Sequence, residues 1–197
     1  MLPVGEVDVG MKRARHFTYQ SGKYMVSEIG SCTLEFRYLS YITGDSKYGA
    51  AADKAMYAIM NLPGGLVNDY LRYTPNKQAI ATGALTDVSL GGHGDSYYEY
   101  LLKSYLQTNQ TEHIFLREWT EAMAEAYTKL RVETAGGLVY LAKLRGGALA
   151  HEWDHLGCFL PGSLQLAARS VLANRYYNDI VNNDTLQGWN DLSHDLT

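Results

Sequence analysis

Only two of the 197 residues are cysteine, Cys32 and Cys158, and only four are phenylalanine, set against sixteen tyrosines. One disulfide at most can form within the chain, and the sequence alone does not establish it. No run of about 18 apolar residues occurs, so no membrane span is predicted. The opening Met1-Leu2-Pro3-Val4-Gly5-Glu6 has no basic region followed by an apolar one, so it reads as no signal peptide and gives no address. Basic charge is not in excess. The formal charge of −4 and pI near 5.8 leave no electrostatic footprint for nucleic acid or an anionic membrane. Zinc-ligand spacing, a Walker loop and a serine–histidine–acid signature are also missing.

What is present is enough apolar material, 46% of residues, to build the core of one domain or a large part of one. The tyrosines combine an apolar ring with a polar tip, which suits wet, sugar-holding grooves as well as ordinary amphipathic helix packing. Two N-glycosylation acceptor triplets, Asn109-Gln110-Thr111 and Asn183-Asp184-Thr185, fall in predicted loops and tilt the reading toward the secretory pathway.

The first twenty or so residues are irregular, with a basic cluster at Lys12, Arg13 and Arg15. From about Met25 to Ile42, apolar residues at three- and four-residue steps predict a helix. Gly44-Asp45 breaks it, Asp45 serves as an N-cap, and a second helix is expected from about Ser46 to Met60. Pro63-Gly64-Gly65 stops that helix. Leu66–Tyr73 and Gln78–Thr82 then flank Thr74-Pro75-Asn76-Lys77, which reads as a β-hairpin. Helices are expected from Asp95 to about Gln107 and, capped by Thr111, to about Val132. A second hairpin-like stretch runs from Leu138 through Arg145-Gly146-Gly147 toward Leu149. A helix from about Pro161 to Ala173 and another from near Asp184 complete the chain. Leu34–Tyr41 overlays Tyr98–Tyr105 so that Glu35 meets Glu99, Ser40 meets Ser104 and Tyr41 meets Tyr105. Each unit is helix, polar turn, helix, hairpin, and such pairs bury their apolar faces only by stacking on neighbours. Such a stack is either an open solenoid or a closed α/α toroid, and the hairpins, which would gather at one end of a barrel, favour the toroid: the fold class expected is mainly α, a partial α/α toroid with short β-hairpins between helical pairs.

Three segments carry chemistry. In Gly91-Gly92-His93-Gly94-Asp95-Ser96-Tyr97-Tyr98-Glu99-Tyr100, glycines precede a helix whose first turn holds Asp95, where the macrodipole favours an anion. Glu99 lies four residues on, so both carboxylates share a helical face, with Lys103 one turn beyond. In Trp153-Asp154-His155-Leu156-Gly157-Cys158-Phe159-Leu160-Pro161-Gly162, a polar cluster precedes a helix entry, and His155 is placed to meet a ligand hydroxyl or carry a proton. In Ser27-Glu28-Ile29-Gly30-Ser31, Glu28 stands at a helix start. Taken singly, each has a plain structural account as helix-terminal charge or a structural histidine.

Together and in this order the segments resemble glycoside hydrolase family 47, the class I α-1,2-mannosidases. Glu28-Ile29-Gly30-Ser31-Cys32-Thr33-Leu34-Glu35-Phe36 matches one family segment, and Leu39-Ser40 with Thr43-Gly44-Asp45 matches the turn after it. Asp95 to Lys103 matches Asp-Ser-(Tyr/Phe)-Tyr-Glu-Tyr-Leu-Leu-Lys without a gap, and Asp154 to Phe159 with Gly162 matches Asp-His-Leu-x-Cys-Phe-x-x-Gly.

The resemblance implies an incomplete (α/α)7 barrel, with residues 1–197 forming part of a catalytic domain. It implies inverting, calcium-dependent trimming of α-1,2-linked mannose from high-mannose N-glycans in the lumen of the endoplasmic reticulum or Golgi. Inversion pairs a general acid with a base acting on water. In the family the acid glutamate lies upstream of the matched stretch, and the base glutamate and the calcium-binding threonine lie downstream. On that expectation Met1 is not the protein's true start and the isolated chain is inactive. Asp95 matches the family's catalytic aspartate. Glu28 and Glu99 match pocket carboxylates that hydrogen-bond sugar hydroxyls or waters near the calcium, His155 matches a substrate-pocket histidine, and no residue here is expected to ligate the metal. His93 stands where endoplasmic-reticulum members have arginine and Golgi members leucine, a position that bears on branch preference. Cys158 matches a cysteine that in the family pairs with a later one, which leaves it unpaired here. The alternative is a mannose-binding quality-control protein of the same fold without efficient hydrolysis. Open sides of a partial toroid would expose apolar edges and make the isolated piece poorly soluble.

Overall fold

A computed structural model describes residues 6–15, 23–72, 80, 83–173 and 181–197. Two short strands, β1 (Glu6–Asp8) and β2 (Arg13–Arg15), pair antiparallel at the start. Strand β3 (Lys23–Met25) leads into a one-turn helix α1 (Val26–Ile29). Three helical hairpins follow: α2 (Thr33–Thr43) with α3 (Lys47–Met60), α4 (Asp95–Gln107) with α5 (His113–Lys129), and α6 (Leu160–Ala173) with α7 (Asn183–Asp195).

The hairpins stack in two rows. α4 packs between α2 and α6 in one row. In the other, the Tyr57 ring of α3 stacks on Phe115 of α5 at 5.9 Å, and Trp119 of α5 meets Trp189 of α7 edge-on at 5.0 Å. The core lies between the rows, with Met56, Ile59, Tyr97, Tyr98, Tyr105 and Trp119 among its fully buried side chains. This two-row stack of helical pairs is the predicted α/α architecture.

Local chemistry accounts for the first hairpin. Gly44 ends α2 at φ +71°, a left-handed conformation with no Cβ penalty for glycine. Ser46, not Asp45, takes the N-cap position of α3, and Asp45 Oδ1 instead closes the turn ahead of the helix by accepting the Lys47 N–H at 3.1 Å. Ser40 Oγ accepts the Gly49 N–H at 2.8 Å across the two helices. Arg37 joins this hairpin to the next, bonding Asp53 through Nε at 2.7 Å and both oxygens of Glu112 at 3.1 and 2.9 Å.

Several expectations change. The single helix from Met25 to Ile42 is two helices, α1 and α2, separated at Gly30. A Cβ on Gly30 would lie 2.7 Å from Tyr97 Cδ2 and 2.9 Å from the Val26 carbonyl, so the break lets α4 approach. Strand β4 (Tyr70–Arg72) pairs with β3, a partner the sequence did not suggest, and the expected hairpin after it falls mostly outside the described residues. Of the expected second arm, 78–82, only Ile80 belongs to the described residues, where it is buried. Thr111 does not cap α5: its hydroxyl donates to the Thr108 carbonyl, and Glu112, held by Arg37, takes the cap position.

The second hairpin-like stretch is two pairs, β5 (Arg131–Glu133) with β6 (Val139–Leu141) and β7 (Lys143–Arg145) with β8 (Ala148–Ala150). Asn109 is exposed in the α4–α5 turn, whereas Asn183 opens α7 rather than lying in a loop. The repeat holds in sequence but not in environment. Tyr41 is 82% exposed and Tyr105 is 0% exposed, because α4 has a neighbour on each side and α2 presents one flank to solvent. Both cysteines are free thiols. No helix among the described residues is long and apolar enough to cross a membrane.

Candidate active site

The three chemistry-bearing segments converge at the ends where α1, α4 and α6 begin. The turn at residues 91–94 is their meeting point. It closes on itself, with the Asp95 N–H donating to the Gly91 carbonyl at 2.9 Å. On one side, the Ser27 N–H donates to the His93 carbonyl at 3.0 Å, tying α1 and the adjacent Glu28 to the turn. On the other, the Gly92 N–H donates to Asp154 Oδ2 at 3.3 Å. A Cβ on Gly91 would stand 2.5 Å from Asp154 Cβ, so this approach requires glycine.

Asp154 holds its side of the site in several ways. Its Oδ1 accepts the Leu156 N–H at 3.0 Å, capping the 3-10 helix His155–Phe159 that leads into α6. Its Oδ2 meets Lys143 Nζ of β7 at 3.1 Å. The Leu156 N–H, together with Lys143, holds the Asp154 carboxyl below its ordinary range. β7 is itself bridged to Val88, just ahead of the glycine turn, through reciprocal Val88–Leu144 backbone bonds.

The residues singled out from sequence sit around this junction. Asp95 is half-buried in the first turn of α4, its Oδ1 accepting the Ser96 N–H at 2.7 Å. Glu99 lies one turn on and pairs with Lys103, the partner its spacing suggested. Glu28 is exposed at α1. His93 is exposed at φ +82°, a left-handed backbone unusual for a non-glycine residue, and its ring lies 5.2 Å from that of Tyr70. Such strain clusters at functional sites. The side chain of His155 is 89% exposed, with Nδ1 3.5 Å from Asp154 Oδ1. Backbone bonds thus place the elements carrying Glu28, His93, Asp95 and Glu99 in one frame, and His155 stands at its edge. The junction offers exposed and half-buried carboxylates at helix starts, groups that make charge-assisted hydrogen bonds to neutral hydroxyls.

A model of the family described as glycosyl hydrolase family 47 matches residues 1–192. The chain belongs to that family. The endoplasmic reticulum mannosyl-oligosaccharide 1,2-alpha-mannosidase of Schizosaccharomyces pombe is 37% identical over 175 residues, 85% of this chain and 32% of that protein. The human protein of the same name is 36% identical over 84% of this chain and 24% of its own length. An alpha-1,2-mannosidase from Trichoderma reesei shares the fold with a TM-score of 0.73 at 24% identity, over 93% of this chain and 35% of that one. The chain therefore spans about a quarter to a third of the length of the curated relatives it matches.

Two supports of this family 47 segment, Asp154 and Asp69, were not singled out from the sequence. Asp154 lies inside a quoted motif, but its bonds to Gly92 and Lys143 are non-local. Asp69 interrupts the apolar stretch Leu66-Val67-Asn68-Asp69-Tyr70-Leu71, and a carboxylate in such a run is a readable sign. It is only 7% exposed, and burial, with the charges of Asp87 and Asp95 added, pushes its carboxyl up to about 7 against the opposing Ser89 hydrogen bond and Lys143. Among the described residues no group of three or more His, Cys, Asp or Glu side chains could hold a metal ion.

Proposed function

We propose that the protein is a mannosyl-oligosaccharide 1,2-α-mannosidase that trims α-1,2-linked mannose from high-mannose N-glycans in the lumen of the secretory pathway. The observation that carries this reading is the family match across residues 1–192, joined to the convergence of Glu28, His93, Asp95 and Glu99 on one junction. Relatives named as endoplasmic reticulum mannosidases support the compartment.

In this reading Asp95, fixed in the first turn of α4, lies beside the scissile bond. Its orientation is set by the helix start and by the Ser96 N–H. Glu28 and Glu99 accept hydrogen bonds from sugar hydroxyls, and Lys103 offsets the charge of Glu99 when no sugar is bound. His93 and His155, both exposed, line the approach and contact outer mannose residues, with His93 tuning branch preference. Hydrolysis proceeds with inversion, an acid protonating the leaving oxygen while a base activates water on the opposite face. Calcium is required and would help position sugar hydroxyls.

The test is release of mannose from a high-mannose glycan by the protein expressed with whatever sequence flanks these residues in its transcript. Release that is lost on chelation and in Asp95→Asn supports the reading. Glycan binding without release points instead to a lectin-like quality-control protein of the same fold.

A further inference from the structure

We propose that Asp69 is a positioning residue for this site, binding the start of the Glu28 helix and the turn before Asp95 into one rigid frame. The proposal rests on the mannosidase reading above and adds to it a residue outside every motif of the sequence.

The geometry is specific. Asp69 stands at the head of β4, and its carbonyl accepts the Val26 N–H at 2.9 Å, fixing the first residue of α1 and hence Glu28 two residues on. Its own N–H donates to the Asp87 carbonyl at 2.7 Å. Its Oδ1 accepts the Ser89 N–H at 2.7 Å, and Ser89 Oγ in turn accepts the Gly91 N–H at 2.9 Å. Gly94, the residue before Asp95, packs directly above: a Cβ there would lie 3.2 Å from Asp69 Oδ1 and 2.0 Å from the Ser89 carbonyl. One buried side chain therefore touches the turn's entry, its exit and, through the main chain, the neighbouring helix.

An apolar residue would fill the same volume without these bonds, and burying a carboxylate is costly. Natural sites keep such costs where geometry matters more than stability. The groups facing Asp69 are Asp87 from the preceding segment, Lys143 from β7, and Asp95 and Tyr98 from α4. The ionised carboxylate is the stronger acceptor for the Ser89 N–H. Its charge state, poised near neutrality by burial, therefore grades how tightly the turn is held.

The experiment compares mannose release across pH 5–9 for the transcript-length protein, Asp69→Asn and Asp69→Ala, with amide exchange of residues 89–95 measured on each folded variant. The Asn variant keeps an oxygen acceptor without the charge, and the Ala variant removes both. Expected is a fall in kcat of about tenfold to a hundredfold for Asp69→Ala, with KM little moved. Exchange at residues 89–95 should be faster in that variant. Asp69→Asn should restore most of kcat and lose the part of the wild-type profile that declines as pH falls through about 7. Unchanged kcat, profile and exchange in Asp69→Ala overturn the proposal. Equal loss in both variants with an unmoved pH profile and unmoved exchange also overturns it, since the loss then does not arise from a loosened turn. A wild-type protein that releases no mannose at any pH refutes the mannosidase reading instead, and the exchange measurement still decides whether Asp69 holds the turn.

Discussion

Replacing Asp69 by Asn should stabilise the fold at alkaline pH and give no gain at acid pH. In the folded chain the Asp69 carboxyl titrates at about 7, against an ordinary value of 3.8, chiefly because burial disfavours the charge. Between those two values the folded state holds a proton that the unfolded state has released. Stability is therefore greatest below about 3.8 and declines as pH rises through about 7. At about 1.4 kcal/mol per pH unit, the gap sets a ceiling of about 4 kcal/mol on the cost of the charged form. Asn carries no charge at any pH and keeps an acceptor for the Ser89 N–H, but its amide hydrogens need partners, at a cost of about 1–2 kcal/mol. The net gain expected at pH 8 is about 2 kcal/mol, vanishing or reversing at pH 4. Urea denaturation followed by circular dichroism at pH 8, 6 and 4 measures it. A variant no more stable than wild type at pH 8, or one whose difference from wild type is independent of pH, refutes the reasoning. Were the gain found together with altered mannose release, Asp69 would be a residue kept for function at the expense of stability.

Further consequences are open to the same kind of test. Gly94→Ala forces a Cβ to within 2.0 Å of the Ser89 carbonyl, so it should destabilise by about 3 kcal/mol and disturb the turn before Asp95, read as a lowered thermal midpoint. Arg37→Met leaves Asp53 and Glu112 facing each other, both partly exposed, and should cost about 1–3 kcal/mol in urea titrations. Adding Asp53→Asn and Glu112→Gln should recover part of that loss if charge, rather than packing, is the cause. The exposed flank of α2, where Tyr38 and Tyr41 stack 6.2 Å apart beside Ile42, should drive self-association of these 197 residues expressed alone. Tyr41→Ser with Ile42→Ser should raise the soluble fraction in sedimentation, and an unchanged distribution would remove α2 as the cause.

Much of the fold was legible because apolar spacing marks amphipathic helices. The boundaries of α3, α4 and α6 follow from Asp45, from the glycines before Asp95 and from Pro161. The break at Gly30 was not legible, since apolar spacing runs on through it and only the Tyr97 ring from α4 explains it. The partner of β4 was also hidden. The hairpin turn Thr74-Pro75-Asn76-Lys77 lies outside the described residues, and the register that is seen, Tyr24 opposite Leu71, brings in a strand from before α1. Local turn chemistry does not specify a non-local pairing. The motifs around Glu28, Asp95 and His155 could be read from residue type and spacing, and backbone bonds gather the elements that carry them. Asp69 and Asp154 act through partners distant in sequence, so spacing gave no sign of what they hold. The positive φ of His93 was likewise invisible.

The central claim is most directly tested by incubating the transcript-length protein with a high-mannose N-glycan and calcium, beside a chelated sample and Asp95→Asn, and quantifying free mannose and its anomeric form. The account predicts release of α-1,2-linked mannose first appearing as the inverted β-anomer, abolished by chelation and reduced by orders of magnitude in the variant. Undiminished release from Asp95→Asn, or no release from a folded protein that still binds the glycan, would contradict it.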